Sequence, residues 1–186
     1  MASLAAILDW VGLMTYDYRG SWSSHTGFNA PLYASPGDPG DANNHAAWAV
    51  DTYLAGGFSP SQIVLGVPFY GRGFANVGAT NDGLFQTFSG VPTGTWEPGM
   101  FDYSDLVDNW LPTSGQYRDT ASGAPWLYDA GQQVFISYED PTSLEQKANY
   151  VVANGLGGVM IWELSADTDS ADLLMAIDDT YEAALP

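Results

Sequence analysis

Three stretches of the chain run mostly apolar and then stop abruptly in aromatic and charged side chains. They are residues 7–22 (through Leu13-Met14-Thr15-Tyr16-Asp17-Tyr18), 63–73 (through Val67-Pro68-Phe69-Tyr70-Gly71-Arg72) and 158–164 (Gly158-Val159-Met160-Ile161-Trp162-Glu163-Leu164). Short apolar runs bounded by turn residues predict strands buried on both faces, as in a parallel sheet. The polar residues then fall at the carboxyl ends of the strands, where parallel α/β folds build their sites. In the first stretch Met14, Tyr16 and Tyr18 alternate with Thr15 and Asp17, which places a carboxylate and two phenols at the strand's mouth. Taken alone, that string also suits ordinary aromatic packing at a strand end. Its repetition in two later stretches favours a site.

Helical periodicity separates the strands. After a Gly-, Pro-, Ser- and Asn-rich loop over residues 19–44, Asn44 or Asn43 is expected to cap a helix over 45–54. That helix sets Ala46, Ala47, Val50 and Leu54 on one face and stops at Gly56-Gly57. Strand, helix, strand in that order is a βαβ unit, whose crossover is almost always right-handed. A second helix is expected over 141–154, with Leu144, Ala148, Val151 and Val152 on one face. A third, capped by Asp169 or Ser170, carries Leu173, Leu174, Ile177 and Tyr181. Between them, residues 74–137 are rich in Gly, Pro and Thr, with alternating runs at 126–129 and 133–138 and a short helix expected within 102–110. The expected organisation is α/β: three strand-then-helix units in residues 1–73 and 138–186, interrupted by a small α+β insertion at 74–137.

Charge and composition narrow the function. With 22 acidic residues against four Lys and Arg, the formal net charge is −18, which excludes nucleic acid and anionic membrane surfaces as partners. Asp-rich, Lys-poor composition points to salty surroundings, where screening relieves self-repulsion. Seven Trp and eleven Tyr suit stacking on flat apolar faces such as sugar rings. There is no cysteine, so thiolate chemistry and disulfides are excluded. No apolar run is long enough to span a membrane. The opening Met1-Ala2-Ser3-Leu4-Ala5-Ala6-Ile7 lacks the basic and apolar regions of a signal peptide, and reads as an added start or the tail of a preceding helix.

Other chemistries fit less well. Asp38, Asp41 and the acids of 167–172 lack the spacing and central glycine of a calcium loop, and capping explains them better. His25 and His45 have no third ligand in register for zinc. Gly71-x-Gly73 lacks the third glycine of a dinucleotide turn. No metal or cofactor is expected.

The three strand stretches, with Trp22 and the later Thr95-Trp96-Glu97-Pro98-Gly99-Met100-Phe101-Asp102-Tyr103, together resemble glycoside hydrolase family 18. The chain looks like the C-terminal half of a bacterial-type chitinase: the last three strands of a (β/α)₈ barrel plus the chitinase insertion domain. The resemblance implies substrate-assisted cleavage of β-1,4-linked N-acetylglucosamine, in which the substrate's own N-acetyl oxygen attacks the anomeric carbon. It implies catalytic roles for Tyr16, hydrogen-bonding the acetamido group, and Asp17, positioning the sugar. Met14 would line the acetamido pocket, and Trp162 would be the floor on which that sugar ring stacks. Tyr70 and Arg72 would bind on the glycone side, with Trp22 a platform on the other. The family's Asp-x-x-Asp-x-Asp-x-Glu signature does not occur: Asp167, Asp169 and Asp172 end without the Glu. Glu163 and Glu97 are the only acids near the expected cleft to stand in as proton donor. The expectations are therefore a chitin-cleaving enzyme once the rest of its barrel supplies the acid, or a non-catalytic binder of chito-oligosaccharides. Its expected partners are chitin, the N-terminal half of the barrel or another copy of itself, and its expected location is extracellular.

Overall fold

Ile63, Leu65 and Val67 are completely buried, and their strand is the centre of a three-stranded parallel sheet. The structure is a computed structural model and describes residues 1–185. In chain order it runs α1 (Ala2–Ala5), β1 (Val11–Leu13), α2 (Ala46–Ala55), β2 (Ile63–Pro68) and β3 (Tyr70–Phe74). Next come β4 (Met100–Asp102), α3 (Tyr103–Asp105, continued by a π turn over Leu106–Trp110), β5 (Gly115–Arg118), β6 (Pro125–Asp129) and β7 (Val134–Ser137). α4 (Pro141–Ala153), β8 (Gly158–Trp162) and α5 (Asp172–Ala184) complete it. Strands β1-β2-β8 form the parallel sheet, and β4-β3-β7-β6-β5 form a five-stranded antiparallel one.

One face of the parallel sheet is covered. Leu13, Ile63 and Leu65 pack on Ala46 and Val50 of α2 and Val151 of α4, and Val67 packs with Leu144, Leu173 and Ile177 of α4 and α5. The other face, carrying Trp10, Met14 and Trp162, is open, and these three are all exposed. The expectation of three strands buried on both faces therefore holds only for β2; β1 and β8 are half-exposed. Described in these terms the molecule is a mixed α/β structure with two sheets, and no closed barrel forms among the described residues.

The sheets are joined at Phe69. Its N–H donates to Trp162 O at 2.8 Å and its carbonyl accepts from Tyr103 N at 3.0 Å, so one residue ties β8 to the start of α3 as the chain passes from β2 into β3. Tyr70, expected to end the second strand, and residues 71–73, expected beyond it, belong to a separate strand: β3 pairs with both β4 and β7. Phe69, Phe101, Leu127 and Ile136 continue the core of α4 and α5 across the junction.

Helix ends depart from the expected residues in instructive ways. His45, not Asn43 or Asn44, caps α2; it is extended (φ −153°) and its Nδ1 accepts from Trp48 N at 3.2 Å. Neither Asp169 nor Ser170 caps α5. Asp167 reaches forward, accepting from Leu173 N and Leu174 N at 3.2 and 3.0 Å. Leu174 faces outward beside buried Leu173. On α4, Val152 is 42% exposed while Lys147 is buried, because positions 144, 147, 148 and 151 share the 3.6-residue face and 152 falls off it.

Candidate active site

β1 ends early. Thr15 Oγ1 donates to Gly66 O at 2.6 Å, which binds the outgoing chain to the adjacent strand. Gly66 is required there, since a Cβ would collide with Leu13 O and the Tyr16 ring. Two residues on, Asp17 takes a left-handed backbone (φ 60°), a conformation that Asp tolerates better than most residues and that is typical of functional sites. This breaks the strand alternation. Tyr16 and Asp17 both line a cleft of about 610 Å³, while Tyr18 turns away from it and donates its N–H to Asn29 O at 3.0 Å. Tyr18 is thus not at the mouth beside Tyr16, contrary to the simple alternation. Burial pushes its phenol up to about 12.

The Asp17 carboxylate is held on three bonds. Arg72 donates Nε to Oδ1 and Nη2 to Oδ2, each at 2.9 Å, and Tyr70 donates its hydroxyl to Oδ1 at 2.7 Å. A guanidinium fork on both carboxylate oxygens is among the stronger protein hydrogen-bond arrangements. It is possible because Tyr70 and Arg72 alternate on β3 and face the same side. The guanidinium carbon lies 5.2 Å from the Tyr70 ring centroid and 5.4 Å from that of Trp22, a cation–π sandwich. Burial works against the Arg72 charge, but the bonds and negative charge of Asp17 outweigh it and leave the guanidinium more basic than usual. Burial first, then the bond to Asp17, pushes the Tyr70 phenol far above its ordinary value. Burial and the Asp17 charge also raise Tyr16. Both phenols therefore stay protonated as donors. The Tyr16 hydroxyl makes no side-chain hydrogen bond among the described residues, which leaves it available to a ligand.

Across the cleft, Trp162 closes β8 with its indole 53% exposed, and the Trp162–Glu163 peptide is cis. Met14, 72% exposed, lies on the same open face. Trp96, Glu97, Met100 and Asp102 also line the cleft, Met100 and Asp102 on β4 paired with Arg72 and Tyr70 of β3. Trp96 is 82% exposed, yet its Nε1–H donates to Asp102 Oδ2 at 2.7 Å. Burial raises the Asp102 carboxyl, the Trp96 bond opposes this, and the Asp105 and Glu163 charges add to it. Glu97 stands 3.4 Å from Arg72 Nη1, and Glu163 accepts from Ser165 Oγ at 2.9 Å. Met14, Tyr16, Asp17, Tyr70, Arg72 and Trp162 thus share one cleft; Trp22 stands outside its lining, against Arg72. Among the described residues no His, Cys, Asp and Glu side chains gather as a metal ion needs. Asp38, one of the acids weighed for calcium, pairs instead with Arg19 at 2.8 Å.

Comparison with known proteins decides which family built this cleft. The model for glycosyl hydrolases family 18 matches residues 1–167. The chain belongs to that family. Chitinase A1 of Niallia circulans is 43% identical over 177 residues, covering 90% of this chain and 25% of the relative. The solved chitinase ChiA74 of Bacillus thuringiensis superposes with a TM-score of 0.91 at 34% identity, over 98% of this chain and 33% of that one. A catalytic domain of an Ostrinia furnacalis Group II chitinase, a mutant in complex with penta-N-acetylchitooctaose, superposes with a TM-score of 0.89 at 28% identity, over 98% of this chain and 50% of that one. The chain therefore spans between a quarter and a half of these relatives.

Several residues of this cleft lay in a stretch that resembles family 18 but were given no site role from the sequence. Trp96, Met100 and Asp102 come from β4 and the turn before it, a segment with no apolar run of its own. The available signal was an aromatic residue directly ahead of a Glu97-Pro98-Gly99 turn, since turns carry functional side chains more often than they bury them.

Proposed function

We propose that this chain forms the part of a chitin-active glycosidase that grips the sugar at the cleavage point. The observation that carries the reading is the Asp17 carboxylate clamped by Arg72 and Tyr70 in a cleft that exposed Trp162 and Trp96 also line. Trp162 is the floor on which a pyranose stacks, and Met14 bounds its acetamido pocket. Tyr16 donates to the N-acetyl oxygen as charge develops, and Asp17 helps position the sugar at the cleavage subsite. Tyr70 and Arg72 serve the glycone side; Trp22, expected as a platform on the other side, stands against Arg72 and is proposed as a platform there instead. The parallel strands with their helices correspond, in this reading, to the last three units of a (β/α)₈ barrel in residues 1–73 and 138–186. Residues 74–137 then form an insertion domain. The open sheet face with Trp10, Met14 and Trp162 favours further barrel units, or a second copy, as its cover. In this reading the protein works outside the cell. A second reading is a binder that does no chemistry, favoured by the absence of Asp-x-x-Asp-x-Asp-x-Glu from these residues.

Both readings are tested by binding. Chito-oligosaccharides are expected to quench tryptophan fluorescence, and Trp162→Ala to weaken binding by about 1–3 kcal/mol, by analogy with base stacking on aromatic rings. Unchanged affinity in that variant would return Trp162 to a packing role and remove the floor from the proposed site.

The habitat and assembly proposals have their own check. With a net charge of −18, self-repulsion extends over about 10 Å at 0.1 M salt and about 3 Å at 1 M. Thermal melts from 0.1 to 2 M NaCl are expected to rise, and light scattering to show association at the high end. A monomer equally stable throughout would contradict both.

A further inference from the structure

We infer that Asn29 is a positioning residue for the sugar-gripping pair, its side chain setting where Asp17 stands relative to Tyr70. The inference rests on the chitin-cleft reading for its purpose, but not for its geometry. Asn29 is 1% exposed and lies in the long loop after β1. Its Oδ1 accepts from Asp17 N at 3.0 Å and its Nδ2 donates to Tyr70 O at 3.3 Å. One planar amide thus touches the backbones of both residues whose side chains meet at the carboxylate. Its own backbone is also engaged: the N–H donates to Ser137 Oγ at 2.9 Å, and the carbonyl accepts from Tyr18 N at 3.0 Å. Ser137 is paired in register with Arg72 across β7 and β3. Asn29 is therefore anchored to the strand that carries Arg72's neighbour, and it reads out to Asp17 on one side and Tyr70 on the other.

The chemistry requires an amide there. Asp17 offers a donor and Tyr70 an acceptor, and of the small side chains only Asn presents one of each in a fixed plane. The left-handed backbone of Asp17 is locally unfavourable, and such conformations persist where the surroundings over-determine them. The Oδ1 bond to Asp17 N is one of the constraints that hold it. The next residue reinforces the loop, since Ala30 O accepts from buried Lys147 Nζ at 2.6 Å. The loop is thus anchored to α4 directly beside the amide, which supports the clamp from a buried position.

The test reads the clamp itself. The chain has three arginines, so its Arg Nε–H resonances are few, and that of Arg72 is identified by its loss in Arg72→Lys. In the unliganded protein, Asn29→Ala is expected to speed solvent exchange of the Arg72 Nε–H about tenfold, under conditions where the variant remains folded by its far-ultraviolet spectrum. Asn29→Asp, which keeps size and acceptor but loses the donor to Tyr70, is expected to do so as well. It serves as the deciding variant if the alanine form does not fold. Exchange at Arg19 and Arg118 stays as in the parent. In both variants, affinity for chito-oligosaccharide falls about tenfold per folded molecule. A merely structural Asn29 lowers the melting temperature and leaves the Arg72 signal of the folded protein unmoved, and that result overturns the inference. Absence of sugar binding in the parent chain tells against the chitin reading alone, because the Arg72 signal is read without ligand.

Discussion

Chito-oligosaccharides incubated with this 186-residue chain are expected to remain uncut, at a rate at least about 10²–10⁴-fold below that of a family member with its general acid in place. In the proposed function the residues in hand would hold and polarise an N-acetyl group, and none of them is assigned to protonate the leaving oxygen. The two glutamates at the cleft are poorly placed for that work. Glu97 is 60% exposed at its side chain and points its carboxylate at the Arg72 guanidinium. Glu163 is exposed and already accepts from Ser165. A useful general acid is sheltered from water by burial, and both glutamates are exposed. Chromatography of a chitohexaose digest measures the rate. Turnover that disappears in Glu163→Gln would make Glu163 a replacement acid. Turnover that persists in both Glu163→Gln and Asp17→Ala would remove the acid-deficiency argument altogether.

Local pattern carried much of this structure and stopped where pairing became remote. β2 and the buried faces of α2 and α4 follow from hydrophobic period, since Ile63, Leu65, Val50, Leu144 and Ala148 satisfy it within their own segments. The βαβ order of β1, α2 and β2 follows with them. The antiparallel sheet does not, because its central pairing sets Arg72 against Ser137 and nothing local announces a partner so distant in sequence. The site divides in the same way. Tyr16, Asp17, Tyr70, Arg72 and Trp162 end apolar runs and were visible as strand-end residues for that reason, while their expected roles came from the resemblance to family 18. Asn29 is one polar residue in a polar loop. Its role depends on burial against Ser137, which only the fold creates. Tyr18 misled because strand alternation was carried through Asp17, where a left-handed turn reverses it.

Lys147 is the clearest case of a residue whose sequence neighbours conceal its work. It is the single lysine of a chain with 22 acids, on a helix face otherwise made of Leu144, Ala148 and Val151. A charge there is costly unless it is paired and hydrogen-bonded. Glu139, just before α4, supplies the pair, and both side chains are about 97% buried or more. Ser143 Oγ donates to the second Glu139 oxygen at 2.6 Å, and Ala30 O takes a further Lys147 proton at 2.6 Å. Lys147→Met is therefore expected to lower unfolding free energy by about 3–5 kcal/mol, since it strands a buried carboxylate and leaves the Ala30 carbonyl without its donor. That is a large part of the roughly 5–15 kcal/mol typical of a folded protein. The double variant Glu139→Gln, Lys147→Met removes both charges and is expected to recover most of the loss, because a buried ion pair contributes little over a neutral pair of similar size. Urea unfolding of the parent, single and double variants gives the three free energies. A single variant within about 1 kcal/mol of the parent would mean that water reaches Glu139 and that the pair is not dry. A double variant no better than the single would place the loss in the Ala30 contact, and so in the loop that carries Asn29, rather than in the stranded charge.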